Sequence, residues 1–253
     1  MIFVTGDTHA DFSHRFNTEN FPEQKEMTKD DYVIICGDFG GIFAVGWENR
    51  QEKHWLDWFE SRNYTLLFVD GNHENFDRLN GYPVKEWHGG KVHEIRPHVL
   101  HLMRGQIFEI NGKKIFAFGG ASSHDVSGGI LDTEDPDFKK KKKALDKDWE
   151  PYRIDHLTWW KQELATDEEM EEGEKNLKAH NYKVDYIITH CCASDTQTLL
   201  GGNLFIPDRQ TDFFAYFVKE YVSYDKWFFG HYHGDEEIND KEILVYEKMI
   251  RVI

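Results

Sequence analysis

The feature that most constrains the fold is a short apolar run that ends abruptly in polar side chains able to bind metal. The clearest example is the strand-like run Tyr64–Val69, which leads directly into Asp70-Gly71-Asn72-His73-Glu74. Aromatic and aliphatic runs of this kind favour buried strands, and open α/β sheets place ligands at the carboxyl ends of their strands. The pattern therefore predicts an α/β fold whose strand ends carry functional side chains.

Four further stretches have the same form, since each follows an apolar run and ends in oxygen or imidazole side chains. They are Gly6-Asp7-Thr8-His9, Gly37-Asp38-Phe39-Gly40, Thr189-His190 and Gly230-His231-Tyr232-His233. A lone Gly-Asp or His-x-His is usually only a turn or a surface loop. The prediction of a metal site therefore depends on the occurrence of five such stretches in one chain. Carboxylate, imidazole and amide oxygen are suitable ligands for divalent first-row metals. We therefore expect the five stretches to meet in one metal cluster.

The side chains that the cluster would use are Asp7, His9, Asp38, Asn72, His190, His231 and His233. Two divalent metals held ~3.5–4 Å apart can activate one water and stabilise both the attacking and the leaving oxygen of a phosphoryl displacement. Such closely spaced cations repel each other strongly, so at least one carboxylate is expected to bridge them. With two aspartates and one hydroxide, the cluster keeps about one positive charge and attracts phosphate.

In this order the stretches resemble the motifs of the calcineurin-like metallophosphoesterase family: Asp-x-His, Gly-Asp-x-x-Gly, Gly-Asn-His-Asp/Glu, a lone His and Gly-His-x-His. The match runs from Asp7 to His233. The resemblance implies an α/β fold, a β-sandwich of two mixed sheets flanked by helices. It also implies a dinuclear metal-dependent phosphoesterase that hydrolyses phosphate mono- or diesters by attack of a metal-bound hydroxide.

The resemblance further implies a role for each motif residue. The first metal would be held by Asp7, His9, Asp38 and His233, and the second by Asp38, Asn72, His190 and His231, with Asp38 as the bridge. His73 would be the general acid that protonates the leaving oxygen. The same ligand set accepts Mn, Fe, Zn or Co, so the identity of the two divalent ions stays open.

The second motif departs from that of the protein serine/threonine phosphatases in this family, which extend it to an Asp-Arg-Gly tail. Here Asp38 is followed by Phe39-Gly40-Gly41-Ile42-Phe43. This difference removes the usual partner of the catalytic histidine and a phosphate-binding arginine. It argues against protein phosphatase activity and leaves the residue that orients His73 unassigned.

We predict one domain over 1–253, with a helical and loop insertion around 121–182. Strands and helices alternate in the first part of the chain, which predicts a parallel sheet, whereas the short strands from Lys91 onwards predict antiparallel pairing. Four further segments are predicted as follows: Lys139–Lys143 as a solvated loop, Arg153–Leu164 and Asp167–His180 as surface helices with Thr166 capping the second, and Asp208–Val222 as an amphipathic helix.

Few residues outside the motifs have a predicted functional role. His124, with Asp125, lies in a small-residue loop after a strand and is a candidate contact for substrate. Arg78 and Arg104 are expected to be surface charges, or for Arg104 a residue of a hairpin turn. The three cysteines, Cys36, Cys191 and Cys192, are interpreted as packing residues.

The formal net charge of −16 argues against tight nucleic-acid binding, which depends on Lys and Arg at the phosphates. A phosphorylated small molecule or a nucleotide is the expected substrate. No apolar run is long enough to span a membrane, and no leader precedes the first strand, so a cytoplasmic location is expected. A non-catalytic metal-binding scaffold and a nuclease are the alternatives, and the sequence does not fix the oligomeric state.

Overall fold

Two large sheets packed face to face form the framework of the protein. The computed structural model describes residues 1–202 and 204–253. The first sheet has the strand order β15-β1-β2-β3-β6-β5-β4. Its strands are β1 (Ile2–Thr5), β2 (Tyr32–Ile35), β3 (Thr65–Phe68), β4 (Val84–Trp87), β5 (Gly90–Arg96), β6 (Val99–Leu102) and β15 (Ile250–Arg251).

The second sheet has the order β13-β14-β12-β11-β8-β7. Its strands are β7 (Gln106–Ile110), β8 (Lys113–Phe118), β11 (Tyr186–Thr189), β12 (Lys226–Phe229), β13 (Glu236–Glu237) and β14 (Glu242–Leu244). A separate pair is formed by β9 (Ile130–Leu131) and β10 (Arg153–Ile154).

Helices flank the two sheets. They are α1 (Phe12–Arg15), α2 (Arg50–Glu60), α3 (Phe76–Leu79), α4 (Phe138–Asp148), α5 (Asp167–Ala179), α6 (Ser194–Gly201), α7 (Arg209–Phe213) and α8 (Lys219–Tyr221). A π-helical turn, Phe214–Val218, joins α7 to α8, so the predicted amphipathic helix over Asp208–Val222 is confirmed with this irregularity. Short 3₁₀ turns lie at Pro22–Lys25 and Lys161–Glu163.

Strands β1, β2, β3 and β6 of the first sheet are buried on both faces, and their alternation divides the core into layers. Val33 and Phe68 point toward the helices and pack in one cluster with Phe59. Ile34 and Leu67 point the other way and pack with side chains of the second sheet such as Phe228. This alternation is the period-two geometry of a strand, and it confirms the predicted sandwich of two mixed sheets flanked by helices.

The strand pairing confirms one half of the sequence prediction and corrects the other. β1, β2 and β3 are parallel, as predicted. Among the described residues, antiparallel pairing beyond Lys91 is limited to β4 with β5, β5 with β6, β7 with β8 and the short edge strands. β6 is parallel to β3, and parallel pairing also joins β8 to β11, β11 to β12 and β12 to β14. Turn signals such as Asn111-Gly112 determine a local hairpin, whereas the β8–β11 pairing joins segments far apart in sequence.

The segment 121–182 contains two wrong predictions and one confirmed prediction. Lys139–Lys143 lies in helix α4, not in a loop, and its lysines are exposed or half-buried. Arg153–Leu164 is not a helix, because β10 pairs with β9 and the Thr158 hydroxyl accepts a hydrogen bond from the backbone N–H of Ile154. Helix α5 is confirmed, and Thr166 caps it in a capping box with Glu169.

None of the helices in the described part of the chain combines the length and the apolar character that crossing a membrane requires.

Candidate metal centre

The five motif stretches all follow strands whose carboxyl ends lie at one edge of the sandwich. Asp7, Asp38 and Asn72 follow the neighbouring strands β1, β2 and β3, and His190 and His231 follow the neighbouring strands β11 and β12. Parallel strands bring their carboxyl ends to the same side of a sheet, so residues far apart in sequence become neighbours. This edge is where the sequence predicted a metal cluster.

Glycines in the motifs allow the strand ends to approach one another closely. A Cβ atom on Gly71 would lie 2.0 Å from Oδ1 of Asp38, and one on Gly230 would lie 2.0 Å from Oδ1 of Asp7. Any larger residue would displace the carboxylate. The Gly-Asn-His and Gly-His-x-His patterns therefore have a steric origin in this chain.

Several candidate ligands have a backbone conformation that non-glycine residues rarely adopt. His9, Asp38, His231 and His233 have φ angles between 44° and 71°. Such left-handed residues are enriched at functional sites, where the surrounding structure imposes the strain. The strain here falls on residues from three of the five motifs.

One group of donor atoms is formed by Asp7, His9 and His233, whose side-chain donors all lie within 4.8 Å of one another. Nε2 of His233 lies 3.3 Å from Oδ2 of Asp7 and 3.0 Å from Nε2 of His9. Two imidazole nitrogens and a carboxylate oxygen that converge in this way match the donors that divalent metals prefer.

A second group is formed by Asp7, Asp38 and His190. Nε2 of His190 lies 3.5 Å from Oδ2 of Asp38 and 3.2 Å from Oδ1 of Asn72, while its Nδ1 lies 2.7 Å from the carbonyl of Cys36. Donation from Nδ1 to that carbonyl directs Nε2 at the two oxygens, which is the usual arrangement behind a metal-binding histidine.

The electrostatics of the second group favour a cation. Burial alone would lower the pKa of His190, but the carboxylates of Asp38 and Asp7 outweigh it and raise the pKa to about 10. Asp7 and Asp38 are themselves almost fully buried, and buried carboxylates require a compensating positive charge. A metal ion bound to Nε2 takes the place of that proton, so the donor set fits a divalent metal.

Asp38 belongs to the second group and also approaches the first, since its Oδ2 lies 3.5 Å from Nε2 of His190 and 3.8 Å from Nε2 of His9. Of the seven candidate ligands, His231 is the one with the loosest link to the donor groups. Its ring centre is 4.9 Å from that of His190, and its backbone N–H donates to the Asp7 carboxylate at 3.0 Å.

His73 lies beside this cluster, where its backbone and its ring contact two different residues. Its backbone N–H donates to Oδ1 of Asp38 at 2.9 Å, and its Nε2 is 3.5 Å from Nη2 of Arg153. Arg153 is paired with Asp125. Burial lowers the pKa of His73, the carboxylate of Asp38 opposes this effect and the charge of Arg153 adds to it.

The amide of Asn72 is oriented by two residues of the segment 121–182. Its Nδ2 donates to the Ser123 hydroxyl at 3.2 Å, and that hydroxyl donates to Oε2 of Glu163 at 2.6 Å. The backbone N–H of Ser123 also donates to Glu163. Because the nitrogen of the amide faces Ser123, its oxygen faces His190, whose Nε2 lies 3.2 Å away.

Beneath the Gly-Asn-His loop lies a buried ion pair that corrects the prediction for Arg104. Its guanidinium donates from Nε to Oδ2 of Asp70 at 3.0 Å, and His101 contacts the other carboxylate oxygen at 3.0 Å. Arg104 is therefore neither a surface charge nor only a turn residue. Arg78 is likewise paired with a buried carboxylate, that of Glu52, at 2.6 Å.

A cavity of about 340 Å³ opens beside the candidate ligands. It is lined by Asp38, Asn72, His73, His124, Asp125, Phe205, His231, Tyr232 and His233. The structure thus places His124 and Asp125 in the wall of the cavity. The ring of Phe205, which the sequence did not single out, has its centre 4.8 Å from those of His124 and Tyr232.

The cysteines contribute packing, as the sequence predicted. Cys36, Cys191 and Cys192 are buried free thiols. Burial raises the pKa of each thiol, to about 12 for Cys192. These thiols therefore remain protonated and are poor nucleophiles near neutral pH.

Comparison with known proteins agrees with this geometry. Residues 1–235 match the model of the calcineurin-like phosphoesterase family. Lariat debranching enzyme A of Xenopus laevis is 26% identical over 151 residues, which cover 55% of this chain and 27% of the relative. The lariat debranching enzyme of Danio rerio is 22% identical over 140 residues, 51% of this chain and 23% of the relative. The aligned part thus spans about a quarter of these curated relatives. The chain belongs to the calcineurin-like phosphoesterase family, whose members are metal-dependent phosphate ester hydrolases.

Proposed function

We propose that the protein is a dinuclear metal-dependent phosphoesterase in which Asp38 bridges the two metals. The observation that carries this proposal is the position of the Asp38 carboxylate between His9 and His190, at 3.8 Å and 3.5 Å. The first metal would be held by Asp7, His9, Asp38 and His233, and the second by Asp38, Asn72, His190 and His231. Residues 1–253 would act as one phosphoesterase domain with the insertion around 121–182.

When bound, the two cations would activate the attacking water and neutralise charge that develops on the phosphoryl oxygens. The chain's own groups would position the substrate and move the proton. His73 is fixed through its backbone N–H to Asp38 and faces the cavity. From this position its side chain would donate a proton to the leaving oxygen. Mn, Fe, Zn and Co are all compatible with the nitrogen and oxygen donors.

The substrate would be a phosphorylated small molecule or a nucleotide. The wall formed by Phe205 and His124 supports an ester that carries a planar ring, because aromatic side chains stack on such rings. His124 would be a substrate contact at this wall. Free buried cysteines are typical of a reducing compartment and support a cytoplasmic location.

The proposal is tested by assaying metal-free protein with p-nitrophenyl phosphate and bis(p-nitrophenyl) phosphate before and after the addition of Mn²⁺. We expect hydrolysis of at least one ester only when metal is present, together with about two bound metal ions per chain. Asp38→Asn should lose both activity and bound metal, whereas His73→Ala should lose activity and keep the metal. Inactivity on both esters by metal-loaded protein would contradict the enzyme proposal and favour the non-catalytic scaffold.

A nuclease that cleaves a nucleic-acid phosphodiester is the second candidate. The similarity to lariat debranching enzymes favours it. The formal net charge of −16 opposes it, because nucleic-acid affinity depends on basic groups that neutralise phosphates. Binding of single-stranded DNA and of branched RNA at low salt separates the two candidates, since only a nuclease predicts salt-sensitive binding.

A further inference from the structure

We propose that Arg153 binds a phosphoryl oxygen of the substrate and that Asp125 holds its guanidinium in place until the substrate arrives. This inference rests on the proposed phosphoesterase function and deepens it. It assigns the anion contact to a residue of the segment 121–182, outside the five metal-binding motifs.

The geometry of Arg153 places a positive charge beside Asp125 and His73, two residues of the cavity wall. Its Nε donates to Oδ1 of Asp125 at 2.9 Å, and its Nη2 donates to Oδ2 of the same carboxylate at 2.5 Å. The same Nη2 lies 3.5 Å from Nε2 of His73. Asp125 and His73 both line the cavity, so the guanidinium lies beside the space that a substrate would occupy.

The backbone fixes Arg153 at this position. β10, which begins at Arg153, pairs in parallel with β9, so Arg153 lies opposite Ile130. Its backbone N–H donates to the carbonyl of Gly129 at 3.3 Å. The loop that precedes β9 carries Asp125. The short strand pair therefore aligns the arginine with its carboxylate partner.

The charges around the cavity explain why this arginine would be needed. The cavity lining contains Asp38 and Asp125 and, within the part of the chain that the structure describes, neither a lysine nor an arginine. An anionic ester that enters beside these carboxylates gains from a cation beyond the metal centre. A guanidinium is suited to this role because its N–H groups match the spacing of phosphate oxygens.

Arg153 differs from Arg104 and Arg78 in how easily its guanidinium can be redirected. Asp70 and Glu52, which pair with Arg104 and Arg78, have side chains with at most 1% exposure. The Asp125 side chain is 52% exposed and that of Arg153 is 19% exposed. Exposed ion pairs contribute little stability, so a phosphate can take over from Asp125 at small cost. The 3.5 Å contact with His73 is too long for a strong hydrogen bond and also leaves the guanidinium available.

The test compares Arg153→Met, Arg153→Lys and Asp125→Asn with the unmodified protein, all loaded with Mn²⁺. The matched control is Arg96→Met, because Arg96 is 20% exposed and its carboxylate partners, Glu48 and Asp57, do not line the cavity, whereas Asp125 does. The measured quantities are KM for bis(p-nitrophenyl) phosphate, the inhibition constant of inorganic phosphate and the bound Mn²⁺.

We expect Arg153→Met to raise KM and the phosphate inhibition constant by about 10-fold or more, which is the loss of affinity expected when one charge-assisted hydrogen bond is removed. KM and the phosphate inhibition constant of Arg153→Lys should lie between those of the unmodified protein and those of Arg153→Met. The amount of bound Mn²⁺ should be unchanged in these variants, and Arg96→Met should keep the KM and the inhibition constant of the unmodified protein. Asp125→Asn frees the guanidinium and should leave phosphate binding equal or tighter. A purely structural ion pair predicts instead that Asp125→Asn weakens phosphate binding as much as Arg153→Met does.

Unchanged phosphate inhibition in Arg153→Met would overturn the inference, and Arg153→Lys provides the same comparison should the methionine variant fail to fold. If the unmodified protein hydrolyses neither ester, the proposed function fails separately. Calorimetric titration of the Mn²⁺-loaded protein with inorganic phosphate then still decides whether Arg153 binds the anion.

Discussion

The Nδ2 atom of Asn72 donates a hydrogen bond to the Ser123 hydroxyl at 3.2 Å, and this contact joins the candidate metal centre to the segment 121–182. Glu163 accepts from that hydroxyl at 2.6 Å and from the backbone N–H of Ser123 at 3.0 Å. All three side chains are buried. The segment therefore fixes the direction in which the Asn72 oxygen points.

Ser123→Ala should weaken metal binding because it removes the acceptor that holds the Asn72 amide in one orientation. Loss of such an outer hydrogen bond typically costs ~10–100-fold in metal affinity. Titration of the metal-free protein with Mn²⁺ by calorimetry measures the effect. Ser127→Ala is the control, since Ser127 is exposed in the same segment. Equal Mn²⁺ affinity in the two variants would show that Ser123 has no orienting role.

Arg104→Met should destabilise the fold because it leaves the Asp70 carboxylate buried with its strongest partner removed. Breaking one side of a buried ion pair typically costs ~3–5 kcal/mol. The free energy of unfolding in urea measures the loss. The double variant Arg104→Met with Asp70→Asn should recover part of it, since no uncompensated charge remains. A loss below about 1 kcal/mol, as for exposed pairs, would contradict a role for the pair in stability.

The metal-binding motifs could be predicted from the sequence because each one is local. An apolar run gives the strand, and the glycine and polar residues that follow identify its carboxyl end. Parallel pairing then brings these ends together without further information. Asp38 and His190 illustrate this, since each follows its own strand and the two nevertheless lie 3.5 Å apart.

The supporting contacts could not be predicted because they join segments far apart in sequence. Arg104 precedes Gly105 in the turn between β6 and β7, which lie in different sheets, and no sequence pattern reveals that its side chain turns inward to Asp70. Arg153 lies in a stretch whose composition suggested a helix, whereas β9 draws it into a strand. Tertiary pairing thus overrode local propensity in the segment that positions Ser123 and Arg153.

Stability should fall as the pH decreases from about 6.5 to 4, in part because of His93. Burial, helped by the neighbouring imidazole of His101, lowers the pKa of His93 to about 4, although the Asp70 carboxylate opposes this effect. The unfolded chain, with an ordinary histidine pKa of about 6.5, binds this proton more readily than the folded chain does. The contribution of His93 to the free energy of unfolding is therefore fully present above about pH 6.5, the pKa of histidine in the unfolded chain. It is lost as the pH falls toward about 4, the pKa of His93 in the folded chain.

The His93 contribution is measured by urea unfolding at several pH values in the unmodified protein and in His93→Gln. We expect the slope of unfolding free energy against pH between 4 and 6.5 to be smaller in the variant, by roughly 1 kcal/mol per pH unit at most. His54→Gln, which alters an exposed histidine on α2, provides the comparison. Identical slopes in all three proteins would rule out His93 as a source of the pH dependence.

Phe205→Ala should weaken the binding of nucleotides more than that of ring-free phosphates. Phe205 has its ring centre 4.8 Å from that of His124, and both side chains line the cavity. Stacking of one base on an aromatic side chain contributes ~1–3 kcal/mol. The inhibition constant of AMP should therefore rise ~10-fold, while that of ribose 5-phosphate stays constant. Tyr216→Ala, which removes an exposed aromatic ring on the π-helical turn, should change neither constant. Equal increases in the inhibition constants of AMP and ribose 5-phosphate would mean that the base of AMP does not stack on Phe205.

Removal of the metal should destabilise the folded chain, because the carboxylates of Asp7 and Asp38 are almost fully buried. Asp7 belongs to both donor groups, and Asp38 belongs to the second. Mn²⁺ at 100 times its dissociation constant should add about 2.7 kcal/mol to the free energy of unfolding per independent site. Thermal unfolding across a Mn²⁺ titration measures this gain. In Asp38→Asn, which removes a charge and the proposed bridge, the gain should shrink. The same metal-dependent shift in Asp38→Asn as in the unmodified protein would mean that the ion binds outside the two donor groups.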